Sequence, residues 1–240
     1  MKLLSIVGAR PQFIKMAMLS KAVDLYNNRI VSSAPVENII VHTGQHFDSC
    51  MSQVFFDEMH IPNPDFNLGI QAPRHGAMVG KMLIEIEKVL IQVVPDWVIL
   101  YGDTNSTLAG AIAASKSRIP IAHIEAGLRS FDMCMPEEVN RVLTDRVSTY
   151  LFCPCEYAVE HLRSEGFPHV LQGQHNQHIF QVGDVMYDAT RYFTKLAAHQ
   201  STILSRLHVL PKHYAVATVH RAENTDSPAC LEHIMHSLWR

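Results

Sequence analysis

Short apolar runs alternate with longer amphipathic stretches along most of this 240-residue chain. Several runs, such as LLSIV and WVILY, are almost continuously apolar, which is typical of strands buried on both faces of a parallel sheet. The predicted strands are Leu3–Val7, Asn38–His42, Trp97–Tyr101, Ile121–Ile124, Tyr150–Cys153, Ile179–Val182 and Ala215–Val219. The predicted helices are Phe13–Tyr26, Ser49–Met59, Gly76–Val94, Thr104–Ser117, Glu138–Val147, Glu156–Glu165, Met186–Leu196 and Pro228–Trp239.

Strands that alternate with helices indicate parallel strands joined by helical crossovers. The predicted fold class is therefore α/β, with a doubly wound parallel sheet. Residues 168–178 are polar and predicted to form a loop. We expect a first domain over residues 1–184. A second domain starts at residue 185 and has about 55 residues, near the lower limit for independent folding, so we expect it to be begun and not finished.

Composition and charge exclude several classes of protein. Twenty Lys and Arg against 23 Asp and Glu give a net charge of −3, so a nucleic-acid partner is not expected. No apolar run approaches the length of about 20 residues that a membrane span needs, and the N-terminal run is too short for a signal peptide. Five cysteines fit reduced thiols, so we expect a cytoplasmic protein. The pair Cys153 and Cys155 lacks metal-site spacing, and no metal is expected.

Ligands bind at the carboxyl ends of strands in open α/β sheets, so the residues that follow each strand are the candidates. Arg10 and Lys15 follow the first strand at the start of a helix. They form a candidate phosphate site; the alternative is solvated surface charge. Gln45 and His46 follow the second strand and could hydrogen-bond a sugar or a uracil. The sequence contains no dinucleotide fingerprint and no P-loop.

Carboxylates follow the next strands. Asp103 follows Trp97–Tyr101, although it or Thr104 could serve as a helix N-cap instead. Glu125 directly follows a buried strand, and a purely structural role for a carboxylate there is harder to find than for Asp103. Glu137 or Glu138 follows in turn, and here the alternative is a favourable interaction with the helix dipole. His220 and Arg221 follow the last predicted strand. Several carboxylates beside several cations suit proton transfer next to a phosphorylated leaving group.

Six segments in a fixed order carry a family resemblance. They are GARPQFIK, HTGQHFD, GDTNST, HIEAGLRS, MPEEVNR and VHRAENTD. In this order the segments resemble the non-hydrolysing UDP-N-acetylglucosamine 2-epimerase family over nearly the whole chain. LYGDTNSTLAGA, FDEM, RHGAM and GDVMYDA are most similar to the branch that acts on UDP-2,3-diacetamido-2,3-dideoxyglucuronate.

The resemblance implies two Rossmann-like domains, a glycosyltransferase-B-type architecture, with the active site between them. It implies inversion at C2 of a UDP-sugar through loss and re-addition of UDP, without metal or nicotinamide cofactor, in a homodimer that supplies bacterial surface polysaccharides. By motif match, the acid and base carboxylates are Asp103, Glu125 and Glu137, and His220 assists the leaving group. Arg10 and Lys15 hold phosphate or position the intermediate, with Arg221 beside them. Gln45 and His46 match a region that contacts a second, activating nucleotide-sugar in some members.

Three features depart from the family pattern. Relatives often carry an arginine near the position of Cys134, the loop over residues 168–178 is unusual, and family members continue beyond Arg240. Two alternatives to the epimerase therefore stay open. One is a relative that hydrolyses the substrate to N-acetylmannosamine and UDP. The other is a non-catalytic chain that acts only in binding or association.

Overall fold

A computed structural model describes residues 1–29, 34–44, 53–169, 176–219 and 222–239. Its strands are β1 (Lys2–Val7), β2 (Glu37–His42), β3 (Phe66–Asn67), β4 (Trp97–Tyr101), β5 (Ile121–Ile124), β6 (Tyr150–Cys153) and β7 (His178–Gln181). Its helices are α1 (Arg10–Asn27), α2 (Gln53–Glu58), α3 (His75–Val93), α4 (Asn105–Lys116), α5 (Pro136–Val147), α6 (Glu156–Ser164), α7 (Val185–Gln200), α8 (Ile203–Arg206), α9 (Ala222–Thr225) and α10 (Pro228–Trp239).

The seven strands form one sheet in the order β3-β2-β1-β4-β5-β6-β7, and neighbouring strands are parallel. The chain builds outward from β1 in one direction and then outward from β4 in the other. This change of direction between β1 and β4 is the switch point at which such sheets bind ligands. The predicted doubly wound α/β sheet is confirmed.

Side chains on alternate strand positions enter two separate cores. Leu4 and Leu100 face α3 and α4, where Met82 lies fully buried. Leu3 and Ile99 belong to the opposite core, which includes Phe13 and Met16 of α1. A third, smaller core joins β6 to α6. Helices therefore cover both faces, and the sheet holds the strand ends in fixed positions.

The predicted strands at Trp97–Tyr101, Ile121–Ile124 and Tyr150–Cys153 have the observed bounds. The strand predicted at Ala215–Val219 is wrong, because these residues belong to no strand. An apolar run becomes a strand only when a neighbouring strand accepts its backbone hydrogen bonds, and the elements described after Thr194 are all helical. His178, which was predicted to lie in a loop, is the first residue of β7.

The chain divides into two compact units, Met1–Thr194 and Lys195–Arg240. The first unit contains the whole sheet, and the buried residues of the described chain end at Ala189. The described part of the second unit consists of short helices and connecting segments. Among the described residues, we find no helix with the length and apolar character needed to cross a membrane.

Candidate active site

The turn after β1 is held by Gln12, which is 1% exposed. Its side-chain oxygen accepts hydrogen bonds from the backbone N–H groups of Gly8 and Ala9, at 2.8 and 3.0 Å. Its amide nitrogen donates to the carbonyl of Tyr101, at 2.9 Å. Arg10 is exposed at the first position of α1. Gln12 thus occupies two amides of this turn, and Arg10 adds an exposed cationic residue beside them.

Asp103 follows β4, and its backbone and its side chain are both held by α5. Asn140 donates to the Asp103 carbonyl at 2.9 Å. Arg141 donates to the Asp103 carboxylate at 2.5 Å, and that carboxylate is 31% exposed. The N-cap of α4 is Thr104, whose hydroxyl accepts from the backbone of Thr107. Asp103 is therefore not a helix cap, and its charged carboxylate faces a cation at a partly open position.

Glu125 follows β5, the neighbouring strand, and makes an ion pair with Lys15 of α1. The Glu125 side chain is 24% exposed, whereas that of Lys15 is 7% exposed. The backbone of Glu125 has a φ of 76°, which is unusual for a residue other than glycine. Such strain costs about 1–3 kcal/mol and concentrates at functional sites. Two carboxylates, each paired with a cation from a helix, thus lie at adjacent strand ends.

Lys15 is the buried charge of this site. Burial lowers the pKa of Lys15, and the negative charges of Asp103 and Asp184 oppose that effect without overcoming it. Asp184 lies just before α7, where its carboxylate accepts from the backbone of Met186 at 2.8 Å. Carboxylates that follow β4, β5 and β7 therefore all act on the charge of Lys15.

The adjacent residues Glu137 and Glu138 lie in different environments at the start of α5. Glu138 is 1% exposed, and its carboxylate accepts from the backbone N–H groups of Ser130 and Phe131 at 2.9 and 3.0 Å. Burial by itself raises the pKa of Glu138, but those hydrogen bonds and the charge of Arg141 lower it below its usual value. Glu137 is exposed in the same helical turn. Of the two, Glu137 is the carboxylate that is accessible to a ligand.

Four residues proposed from sequence lie outside the described part of the chain: Gln45, His46, His220 and Arg221. Within the described part, no group of three histidine, cysteine or acidic side chains is arranged to hold a metal ion.

Sequence reasoning did not assign roles to Asn140, Arg141 or Asp184. Arg141 follows Glu137 by four residues and Glu138 by three, a spacing that places the three on neighbouring helical positions. That spacing is a usable signal for Arg141. The contact between Arg141 and Asp103 joins two elements far apart in sequence, and only the folded structure shows it.

Comparison with known proteins identifies the family of the chain. The family model described as UDP-N-acetylglucosamine 2-epimerase matches residues 28–240. The chain is 50% identical over 238 residues to UDP-2,3-diacetamido-2,3-dideoxy-D-glucuronate 2-epimerase of Pseudomonas aeruginosa, covering 99% of this chain and 62% of that protein. It is 44% identical over 241 residues to UDP-N-acetylglucosamine 2-epimerase of Methanocaldococcus jannaschii, covering 100% of this chain and 62% of that protein.

Solved structures are also similar over the whole chain. The crystal structure of Methanocaldococcus jannaschii UDP-GlcNAc 2-epimerase in complex with UDP-GlcNAc and UDP has a TM-score of 0.85 at 43% identity, with 62% of that structure covered. UDP-N-acetylglucosamine 2-epimerase from Rickettsia bellii has a TM-score of 0.79 at 33% identity, with 58% covered. The chain spans less than two thirds of the length of these relatives. By its family match and these identities, the chain belongs to the UDP-N-acetylglucosamine 2-epimerase family.

Proposed function

We propose that the protein inverts C2 of a UDP-linked N-acetylated sugar by eliminating UDP and adding it back. The observation that carries this proposal is the pair of carboxylates at adjacent strand ends. Asp103 is bound to Arg141 and Glu125 is bound to Lys15. Inversion requires that a proton leave one face of C2 and that a proton arrive on the other. Two separate carboxylates meet that requirement.

The proposed reaction proceeds in two halves. One carboxylate takes the C2 proton, the C–H electrons form the C1–C2 double bond, and UDP departs with the electron pair of its bond to C1. UDP then adds back to C1, and C2 takes a proton on the opposite face. A C2 proton is weakly acidic, so departure of the diphosphate must lower much of the barrier. Cations near the diphosphate stabilise its developing charge.

In this proposal Asp103, Glu125 and Glu137 share the acid and base roles. The exposed guanidinium of Arg10 suits a phosphate, and Lys15 orients Glu125 through their ion pair. His220 is proposed to assist the leaving group, with Arg221 beside it. Gln45 and His46 are proposed to contact a second nucleotide-sugar. The support for the last four residues is the motif resemblance.

The substrate is proposed to be UDP-GlcNAc or its diacetamido uronic acid analogue. Relatives named for each of these substrates are 44% and 50% identical to the chain.

We also propose a cytoplasmic homodimer that supplies precursors of surface polysaccharides. We further propose that a second domain begins at residue 185, the first residue of α7. Light scattering on the purified protein tests the homodimer.

The acid and base assignment is tested with Asp103→Asn and Glu125→Gln. Each variant keeps the shape of the side chain and removes its proton-transfer function, so we expect turnover to fall by about 10²–10⁴-fold. Asp96→Asn is the matched control. Asp96 lies at the amino-terminal end of β4, opposite to the end that carries Asp103, and its carboxylate accepts a hydrogen bond from the backbone of Lys2. Near-normal turnover in both site variants would contradict the assignment.

Analysis of the products separates the epimerase from a hydrolase. An epimerase converts UDP-GlcNAc into UDP-ManNAc and keeps the nucleotide attached to the sugar. Accumulation of free N-acetylmannosamine and UDP would indicate hydrolysis instead. Binding of UDP-GlcNAc without either product would indicate a chain that acts in binding alone.

A further inference from the structure

A fully buried histidine connects the two turns that carry Asp103 and Glu125. His123 lies on β5 with 0% exposure, and it is the one polar residue of the strand sequence IAHI. Its Nε2 lies 2.7 Å from the carbonyl oxygen of Gly102, the residue before Asp103. Its Nδ1 lies 2.7 Å from a carboxylate oxygen of Asp145 on α5.

Asp145 extends this connection to the turn after Glu125. Its second carboxylate oxygen accepts from the backbone N–H of Gly127 at 3.1 Å and from Arg129 at 2.7 Å. Arg129 is in turn bound through two nitrogens to the carboxylate of Glu165, at 2.7 and 2.9 Å. We call His123, Asp145 and Arg129 the histidine clamp. The clamp holds Gly102 on one side and Gly127 on the other.

The partners of His123 determine which of its nitrogens carry protons. A carbonyl oxygen only accepts, so Nε2 must donate to Gly102. The other oxygen of Asp145 accepts from the backbone N–H of Gly127 and from the Arg129 guanidinium. Nδ1 of His123 and the nearer oxygen of Asp145 form the second hydrogen bond of the ring. Both ring nitrogens of His123 therefore have partners, and the ring joins the two turns.

Buried polar groups with every partner satisfied fix a unique geometry. The Gly102 and Gly127 turns both have positive φ, at 60° and 81°, and the clamp binds the carbonyl of the first and the amide of the second. We propose that His123 is a positioning residue that holds Asp103 and Glu125 at the separation needed for the two proton transfers at C2. This inference rests on the proposed function. The clamp side chains are buried, with exposures of 0% for His123 and Asp145 and 1% for Arg129.

The test combines His123→Phe with Asp145→Asn. His123→Phe keeps a planar ring and loses both hydrogen bonds, whereas Asp145→Asn keeps the shape of the acceptor and loses its charge. Ser5→Ala is the control, since it removes another fully buried hydrogen-bonding group, between Asn38 and Tyr101. We measure kcat and KM for the UDP-sugar, normalised to the folded fraction, together with the melting temperature of each protein.

Positioning predicts that kcat falls by about 10- to 100-fold in the clamp variants while KM changes little, because a displacement near 1 Å can cost that much in rate. Ser5→Ala is expected to lower the melting temperature and keep kcat. Unchanged kcat per folded molecule in the clamp variants would overturn the inference and leave the epimerase proposal standing. An inactive wild-type chain would instead refute the proposed function.

A second measurement keeps the inference testable if His123→Phe does not fold. Nitrogen NMR of wild-type protein with ¹⁵N-labelled histidine reports the proton on each ring nitrogen near neutral pH. We expect Nε2 of His123 to carry a proton, with its resonance assigned through the Asp145→Asn variant. A bare Nε2 would remove the connection to Gly102, because a carbonyl oxygen cannot donate, and would overturn the inference.

Discussion

Glu125 combines a strained backbone with a charged contact. Its N–H and that of Ala126 both donate to the carbonyl of Phe152, at 3.0 and 3.1 Å, so β6 holds the turn in its left-handed conformation. The side chain meets Lys15, which is nearly buried. Backbone strain of this kind persists only when its surroundings fix it. At this residue the structure maintains an unfavourable geometry in order to place one carboxylate.

The sequence identified Asp103, Glu125 and Lys15 because each follows a strand end, where parallel sheets bind ligands. It left Glu137 and Glu138 as alternatives, since both fit a helix N-terminus. Tertiary contacts distinguish these two, because Glu138 is buried against the backbone of Ser130 and Glu137 is exposed. The role of His123 also depends on tertiary partners, although a histidine within an apolar strand was a visible signal.

The lowered pKa of Lys15 makes the free energy of unfolding depend on pH. Comparison with Lys15→Met isolates that dependence. Burial disfavours the charged form in the folded protein, whereas the unfolded chain has the ordinary value of 10.5. Below the folded pKa, folding carries the full cost of the buried charge. As pH rises from there toward 10.5, the folded state loses its proton first and this cost disappears.

We therefore expect the free energy of unfolding of the wild type, minus that of Lys15→Met, to increase with pH in that interval. Chemical denaturation at several alkaline pH values measures the difference. A difference that stays flat or decreases with pH would contradict the burial argument.

At the scale of elements, the turn after β5 is fitted closely against α6. Gly127 has a φ of 81°, and a Cβ atom at this position would clash with the carbonyl oxygen of Ala158. The backbone of α6 cannot yield as a flexible side chain can. The same turn gives its amide to Asp145, so its position is linked to the histidine clamp.

Gly127→Ala is expected to lower the free energy of unfolding by about 2–4 kcal/mol, because overpacking adds to the cost of a positive φ. Gly80→Ala is the matched control. Gly80 lies in α3 with open space around it, and alanine there is expected to stabilise by about 1 kcal/mol through its helix propensity. Equal changes in the free energy of unfolding for the two substitutions, measured by urea denaturation, would contradict the close packing of Gly127 against α6.

The starts of two helices were harder to predict than the bounds of three strands. Three strands have the predicted bounds, because their apolar runs stop at a glycine, a glutamate and a proline. Helix α1 begins at Arg10 instead of Phe13, and α5 begins at Pro136 instead of Glu138. In both helices a proline lies in the first turn, where its missing N–H costs nothing. Apolar periodicity misses such starts because the first turn is often polar.

At the scale of the whole molecule, the two compact units differ in burial. The unit Met1–Thr194 contains the sheet and its three cores. None of the described residues after Thr194 is buried, and Trp239 and Val216 are 91% and 80% exposed. Apolar burial is the main source of folding stability. The strand prediction at Ala215–Val219 was wrong because an apolar sequence pattern does not show whether a neighbouring strand is present to pair with it.

Limited proteolysis tests this difference. Segments with few buried contacts open locally at low free-energy cost. We therefore expect a protease of broad specificity to cut within residues 195–240 first and to leave a resistant fragment that contains the sheet. Mass spectrometry of the early fragments identifies the sites. First cuts within β1, β4 or β5 would contradict the expectation that residues 195–240 open more easily than the sheet.

The proposed function requires that the carboxylates at the ends of β4 and β5 exchange the C2 proton of a UDP-sugar. This exchange is tested by incubation with UDP-GlcNAc, and separately with the diacetamido uronic acid analogue, in deuterated water, with the C2 proton followed by NMR. We expect deuterium at C2 together with a product of inverted C2 configuration, and the substrate that reacts identifies the specificity. Folded protein that leaves the C2 proton of both substrates unexchanged would contradict the proposed roles of Asp103 and Glu125.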